Sequence, residues 1–270
     1  MDLQLKGKRA FVTGSSSGLG AAIAKQLAAE GVIVAVHGRD RPRTEQTARE
    51  IEAAGGKAPV VTIGNLALDD DANAVADAVL KGLGEVDILV NNVGAVLRMD
   101  NPDWLDVKPS EWLDSFSVNV VSALRLCQRF APGMKARGWG RIINTSSTGG
   151  SQIGGNLLDY SAAKAALDNF TGNLSKLLAP HGITVNAVVP GTMLTPAVDR
   201  WLVTLRKQLG WPDDLEHNER VYTKEFVPQP VPRLGRPEEV AAVVALLASP
   251  LAGYTNGSFY RVDGGTATTV

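Results

Sequence analysis

Short, unbroken apolar runs alternate with amphipathic stretches along most of this chain. Arg9–Thr13, Val32–Val36, Ala58–Ile63, Val86–Val90, Arg141–Thr145, Thr184–Val188 and Ser258–Val262 read as strands. Between them, helical spacing runs through Ala21, Ile23, Ala24, Leu27 and Ala28, then Arg43–Ala54, Asp70–Leu83, about Ser110–Lys135, Tyr160–Ala179 and Glu238–Leu247. Strands that are apolar at every position must be covered on both faces, which is the property of a parallel sheet. Right-handed crossovers turn this alternation into a doubly wound α/β sheet of about seven strands with helices on both faces. Without an internal repeat or low-complexity linker, one domain over residues 1–270 is expected. Thr192–Val231 breaks the rhythm and is rich in Trp, Leu and charge, so it reads as an insertion over the site, at about 192–231. Within it, Trp201, Leu202, Leu205, Leu209 and Trp211 suit one apolar helix face, and Val221, Tyr222, Phe226 and Val227 a second.

Composition mainly excludes. Hydrophobic residues make up 44% and charged residues 20%, which suits a packed core. A formal net charge of -1 gives no general attraction to nucleic acid or to an acidic membrane surface. Met1–Lys6 lacks the apolar centre of a signal peptide, and no segment approaches eighteen unbroken apolar residues. A soluble, cytoplasmic protein is expected, with neither a nucleic-acid nor a membrane partner. The single cysteine, Cys127, excludes an intrachain disulfide and reads as a small core residue. No metal site is assigned.

Two constellations carry chemistry. The first is the turn Thr13-Gly14-Ser15-Ser16-Ser17-Gly18-Leu19-Gly20, which follows a strand and opens a helix. Its backbone N–H groups and the helix N-terminus can face a pyrophosphate, with Gly18 and Gly20 permitting close approach. The second is Tyr160 with Lys164, one helical turn apart, and Ser147 thirteen positions upstream. An ammonium beside a phenol favours its ionisation and makes Tyr160 a general acid/base near neutral pH. Together these point to a nucleotide-dependent oxidoreductase. At the end of the second strand, Gly38 stands where an NAD site has an acid for the ribose 2′-OH, and Arg39 follows. Guanidinium pairs well with phosphate, so Arg39 favours NADP(H). Asp40, one step further, suits an N-cap of the next helix.

These residues carry a resemblance over essentially the whole chain to the short-chain dehydrogenases/reductases. Thr13-Gly14-x-x-x-Gly18-x-Gly20 resembles the family's cofactor motif on its Rossmann fold, and Asn91-Asn92-Val93-Gly94 its Asn-Asn-Ala-Gly segment. Asn119, Ser147, Tyr160 and Lys164 occupy the places of its catalytic tetrad. Pro190-Gly191 and Thr195 resemble its nicotinamide loop; Arg233–Glu239 and Val262–Gly265 match its C-terminal signatures. The resemblance implies a cofactor site of Gly14, Ser16, Ser17, Gly18, Leu19, Gly20, Arg39, Asn65, Leu66, Asn92, Val93, Gly94, Tyr160, Lys164, Pro190, Gly191 and Thr195. Asn65-Leu66 departs from the family's Asp-Leu or Asp-Val beside the adenine, while keeping an acceptor. By the family's mechanism, Ser147 polarises the substrate carbonyl, Tyr160 delivers the proton, and Lys164 holds the ribose and lowers the Tyr160 pKa. Asn119, through its backbone carbonyl, anchors a water that links Lys164 to solvent. Ser146 competes with Ser147, but adjacent strand-end residues face opposite ways and the thirteen-residue spacing favours Ser147.

The lid sequence implies an apolar or aromatic part in a small-molecule carbonyl or alcohol substrate. Gln152, Ile153 and Leu157 join Ser147 and Tyr160 as pocket residues, with Arg98 near a charged group. Long helices with apolar residues on several faces, such as Val118, Val121, Leu124 and Leu126, suit a homo-oligomer; the resemblance implies dimers and tetramers, and a homotetramer is favoured. The leading reading is an NADPH-dependent carbonyl reductase. Alternatives are a 3-oxoacyl thioester reductase with Lys135, Arg137 and Lys176 facing an acidic carrier, an alcohol, sugar or steroid dehydrogenase, and a nucleotide-sensing protein without turnover.

Overall fold

In the computed structural model, residues 1–97, 103–152 and 157–268 are described. They form a parallel sheet of seven strands: β1 (Arg9–Val12), β2 (Ile33–Gly38), β3 (Val60–Ile63), β4 (Ile88–Asn91), β5 (Gly140–Thr145), β6 (Ile183–Pro190) and β7 (Phe259–Val262). Their order is β3-β2-β1-β4-β5-β6-β7. Chain direction across the sheet reverses between β1 and β4, where Val12 is in register with both Val36 and Val90. A doubly wound sheet opens a crevice at that switch point, outside the carboxyl ends of the strands.

The unbroken apolar runs arise because alternate residues of each strand enter different cores. Ala10, Val12, Val34, Val36, Ile88, Val90 and Ile143 pack under α1 (Gly18–Ala29), α2 (Arg41–Ala53) and α9 (Pro237–Ala248). Phe11, Ala35, Leu89 and Ile142 pack on the other face, against α3 (Asp69–Leu83), α5 (Ser122–Arg137) and α6 (Leu158–Leu178). Each fully buried Leu, Ile or Phe contributes on the order of 1.5–3 kcal/mol, so two dry faces fix the register strongly. Cys127 is buried in the second core, which pushes its thiol up to about 12.

Two sequence expectations change in detail. The helix expected over about Ser110–Lys135 is α4 (Pro109–Phe116) and α5 joined by a π-helical turn, Ser117–Val121. Such a turn inserts one residue and frees a carbonyl from the regular ladder, a local detail that apolar periodicity does not register. The stretch from Thr192 to Val231 contains two helices, α7 (Pro196–Leu209) and α8 (Leu215–Glu225). Their aromatic residues pack mainly on each other: Trp201 meets Tyr222 edge-on at 5.2 Å between ring centroids, and Trp211 meets Phe226 at 5.7 Å. Leu202 and Tyr222 are buried with Leu234, whereas Leu209 and Phe226 are exposed. Trp211 lies beyond the end of α7.

Candidate active site

The Gly-rich turn is built by a histidine the sequence reading passed over. His37, at the end of β2, accepts from the Gly14 N–H through Nδ1 at 3.1 Å and lies 3.1 Å from Gly64 O through Nε2. A carbonyl can only accept, so Nε2 carries the proton and the ring is neutral. Burial lowers its pKa to about 4, against the pull of the Gly64 carbonyl and with help from Arg39. Its backbone exchanges two more bonds with Ser15. The sequence signal was a lone His on a strand beside the turn.

Across the switch point, Asn92 Nδ2 donates to Thr13 O and Gly14 O, and the N–H groups of Asn92 and Val93 donate to Thr13 Oγ1. The Asn92 amide thus braces the turn from below. A Cβ on Gly20 would stand 2.3 Å from Gly14 O and 2.5 Å from Asn92 Nδ2, so this glycine is required by packing. Gly14 and Gly18 adopt φ of 62° and 55°, the left-handed region. A Cβ on Gly18 would lie 3.2 Å from Thr195 Cγ2, which brings the turn against the segment that follows β6. Ser17 caps α1 without a side-chain bond, leaving the first amides of that helix free for an anion. Leu19 packs half-buried on the core.

The end of β2 is where the sequence reading expects the adenosine side of a dinucleotide. A Cβ on Gly38 would lie 2.4 Å from Thr44 Oγ1 and 2.6 Å from Ser16 Cβ, so no carboxylate side chain fits there. Arg39 is exposed, and Asp40 caps α2 by accepting from the Arg43 N–H at 3.0 Å. A cavity of about 420 Å³ between α1, α2 and the start of α9 brings Arg43 beside Ser16 and Ser17. Asn65 Oδ1 accepts locally from the Ala67 N–H, and the Leu66 side chain is buried in the second core, leaving only its backbone for a ligand. Pro190 ends β6, and Gly191 N–H donates to Val262 O; a Cβ there would meet Asp263 Cα at 2.9 Å. Thr195 caps α7.

Beyond the carboxyl ends of β4 and β5, the four tetrad positions come together. Asn119 sits in the π-helical turn with its side chain spent: Nδ2 donates to Ala95 O and Ser115 O, and Oδ1 accepts from the Ala95 N–H. A Cβ on Gly94 would stand 2.9 Å from both Asn119 Oδ1 and Lys164 Nζ, so Gly94 lets the two approach. Lys164 is 2% exposed and donates to Thr145 O at 2.8 Å. Burial lowers its pKa to about 8, while Asp168 raises it. Lys164 Nζ lies 5.6 Å from the Tyr160 ring centroid.

The expected depression of the Tyr160 pKa is not what this arrangement produces. Burial raises the phenol, and only Ser147 draws it back down. The lysine points its ammonium at Thr145 O, so burial of the phenolate dominates. Ser147 starts the 3-10 turn Thr148–Gly150, its Oγ accepting from the Gly149 N–H at 3.2 Å.

Of the expected pocket residues, Leu157 caps α6 in the left-handed region, φ 56°, strained for a side chain of this kind. Gln152 is committed elsewhere: its Nε2 donates to Thr266 O at 3.1 Å, binding the loop after β5 to the C-terminal segment. Ile153 and Arg98 lie outside the described residues. Among the described residues no cluster of three or more His, Cys, Asp or Glu could hold a metal ion, and no helix is long and apolar enough to cross a membrane.

Known proteins resemble the chain over nearly its whole length. The family profile described as enoyl-(acyl carrier protein) reductase matches residues 14–267. The chain is 38% identical over 256 residues to the short-chain reductase protein NovJ of Streptomyces niveus, covering 95% of this chain and 92% of the relative. It is 34% identical over 262 residues to the acetoacetyl-CoA reductase of Cupriavidus necator, covering 95% and 96%. The crystal structure of L-sorbose reductase from Gluconobacter frateurii, complexed with NADPH and L-sorbose, superposes with a TM-score of 0.93 at 33% identity over 100% of both chains. The chain is an oxidoreductase of the short-chain dehydrogenase/reductase family.

Proposed function

We propose that the protein is an NADPH-dependent carbonyl reductase that converts a ketone to a secondary alcohol. The observation that carries the reading is the convergence of Ser147, Tyr160 and Lys164 beyond β5, beside a Gly-rich turn whose neighbouring strand end has no room for an acid at Gly38. NADPH fits the residues present: the free amides of α1 suit a pyrophosphate, Arg43 lines the cavity beside Ser16 and Ser17, and Arg39 is exposed after Gly38, where a 2′-phosphate is expected. A relative complexed with NADPH and another described as an NADPH-dependent reductase support the same choice.

When bound, the cofactor supplies hydride from C4 of its nicotinamide. Ser147 Oγ donates a hydrogen bond to the substrate carbonyl oxygen and stabilises the alkoxide that develops there. Tyr160 gives its phenolic proton to that oxygen. A phenol raised by burial stays protonated at neutral pH, which suits the reductive direction. Lys164 holds the ribose hydroxyls, and Thr195, Pro190 and Gly191 bind the carboxamide. The helices α7 and α8 cover the substrate, within one domain of a cytoplasmic homotetramer.

Two substrate classes come first. The full-length likeness to an L-sorbose reductase supports a ketose or similar polar ketone, and the inward packing of the α7–α8 aromatics reduces the apolar wall expected for the substrate. Similarity to an acetoacetyl-CoA reductase supports a 3-oxoacyl thioester. The carrier landing patch is weaker, because Arg137 is already engaged by Glu85, Asp87 and Val86 O. The test is oxidation of NADPH or NADH by the purified protein against ketoses, aryl ketones, β-ketoesters and 3-oxoacyl thioesters. Turnover is expected with NADPH, falling at least about 10³-fold in Tyr160→Phe, and Arg39→Asp shifts preference towards NADH. Equal activity of Tyr160→Phe, or silence across the panel despite tight NADPH binding, refutes the proposal.

A further inference from the structure

The residues after β7 have no part in the reaction above, yet the chain folds back there into a tight turn. Asp263 builds it: Oδ1 accepts from the Gly265 N–H and Oδ2 from the Ala267 N–H, each at 3.0 Å. Asp263 O accepts from the Thr266 N–H at 3.1 Å. Gly264 and Gly265 take φ of 62° and 82°, a region that only glycine enters without strain. Thr266 is folded inward by this turn and is 7% exposed.

Two segments that flank the site meet on this one threonine. On one side, Gln152 Nε2 donates to Thr266 O at 3.1 Å, and Gln152 follows the turn Thr148–Gly150 that Ser147 starts. On the other, Gln229 Oε1 lies 3.0 Å from Thr266 Oγ1. The Gln229 amide is fixed in that sense, because its Nε2 faces two carbonyls, Val231 O at 2.8 Å and Arg233 O at 2.7 Å. The hydroxyl therefore donates, its proton lying between Gln229 Oε1 and Asp263 O. Gln229 is tied to the end of α8, its N–H donating to Thr223 O at 3.1 Å. The Val231 N–H donates to Gly264 O, and a Cβ on Gly265 would stand 2.9 Å from Pro230 Cδ, so the strap after α8 lies directly on the turn. The segment that leads into α7 is held at the base of the same turn, through the Gly191 N–H to Val262 O.

We propose that Thr266 is a positioning residue for the substrate: it holds the loop after Ser147 and the strap after α8 one threonine apart, and so sets the width of ketone that the site accepts. This rests on the reading of Ser147 as the group at the ketone and of α7 and α8 as the substrate cover. Thr266 acts through Gln152 and Gln229. A plain anchor for the end of the chain needs only one such partner. Here the carbonyl and the hydroxyl of one residue serve partners 114 and 37 residues upstream. Hydrogen bonds of this kind hold only over about 2.7–3.2 Å, so the two segments cannot separate without leaving buried polar atoms unpaired.

Thr266→Val keeps the branched shape and removes the hydroxyl. Hydrogen–deuterium exchange of the full chain is expected to quicken about fivefold at 223–233, the factor of one neutral hydrogen bond, and by a smaller factor at 148–152, which Thr266 O still holds. With a ketone that the wild type reduces, KM rises about fivefold by the same factor, while kcat at saturation and the KM for NADPH stay level. Bulkier ketones lose least. Thr266→Ser, which keeps the hydroxyl, restores both readouts. Faster exchange confined to 263–268 overturns the proposal, and so does a loss of kcat that is equal for narrow and bulky ketones with KM unchanged.

If Thr266→Val does not fold, Gln152→Leu breaks the other half of the link. Faster exchange at 148–152 together with a raised ketone KM supports the proposal. A raised KM with wild-type exchange means that Gln152 meets the substrate directly and overturns it, as does wild-type behaviour in both. If wild type reduces no ketone, or Tyr160→Phe is fully active, the functional reading has failed on its own account. Exchange at 148–152 and 223–233 then still judges whether Thr266 holds the two segments together.

Discussion

His37 couples the shape of the Gly-rich turn to pH. Its Nδ1 must stay unprotonated to accept from the Gly14 N–H, and burial lowers its pKa from 6.5 to about 4. The unfolded chain therefore binds a proton below about pH 6.5 that the native ring refuses until about 4. The stability that depends on the neutral ring is complete above 6.5 and is lost as pH falls through that window. Thermal melts between pH 7 and 4 are expected to show a steeper acid decline in wild type than in His37→Gln; parallel declines refute the assignment. The Ser146-Ser147 pair illustrates the same scale. Thirteen-residue spacing distinguished the two in the sequence, but only packing shows that Ser146 Oγ is buried without a hydrogen-bond partner among the described residues.

The helices α7 and α8 are secured to the sheet by charge as well as by aromatic packing. Glu219 on α8 is 3% exposed and receives both ends of the Arg236 guanidinium, which stands at the N-terminus of α9. Arg233 holds Glu239 in a second bidentate pair, keeping that carboxyl well down at about 2. Glu219→Gln removes the buried charge and leaves Arg236 half-solvated. A loss of about 1–2 kcal/mol is expected, less than for a fully buried pair because water reaches the guanidinium. If α7 and α8 form the substrate cover, KM for the ketone rises several-fold while NADPH affinity holds. A fall in NADPH affinity with unchanged ketone KM would contradict that role. The sequence located these helices by their broken rhythm and apolar spacing. It did not reveal that Trp201, Trp211, Tyr222 and Phe226 would face one another, because ring-to-ring contact depends on how two helices cross.

At the scale of the whole molecule, apolar surface remains after both cores are filled. Leu113 on α4, Leu177 on α6 and Phe259 on the edge strand β7 are exposed, and Val118, Val121 and Leu124 are half-buried along one helical stripe. Surface of this kind is consistent with the proposed homotetramer. Sedimentation velocity at micromolar concentration is expected to give about four times 28.5 kDa, and a monomer mass would exclude it.

The order of strands and helices, the parallel sheet and the place of the Gly-rich turn were determined by the sequence alone, since continuous apolar runs and 3.6-residue spacing act locally and recur along the chain. The spacing of Ser147, Tyr160 and Lys164 was equally local. Only the tertiary structure decided the state of those groups. Burial raised Tyr160 where the sequence predicted a depressed phenol, turned Lys164 towards Thr145, and bound Gln152 to the C-terminal segment. Solvation and long-range hydrogen bonding depend on residues far apart in the chain, and no spacing along it encodes the dielectric they share.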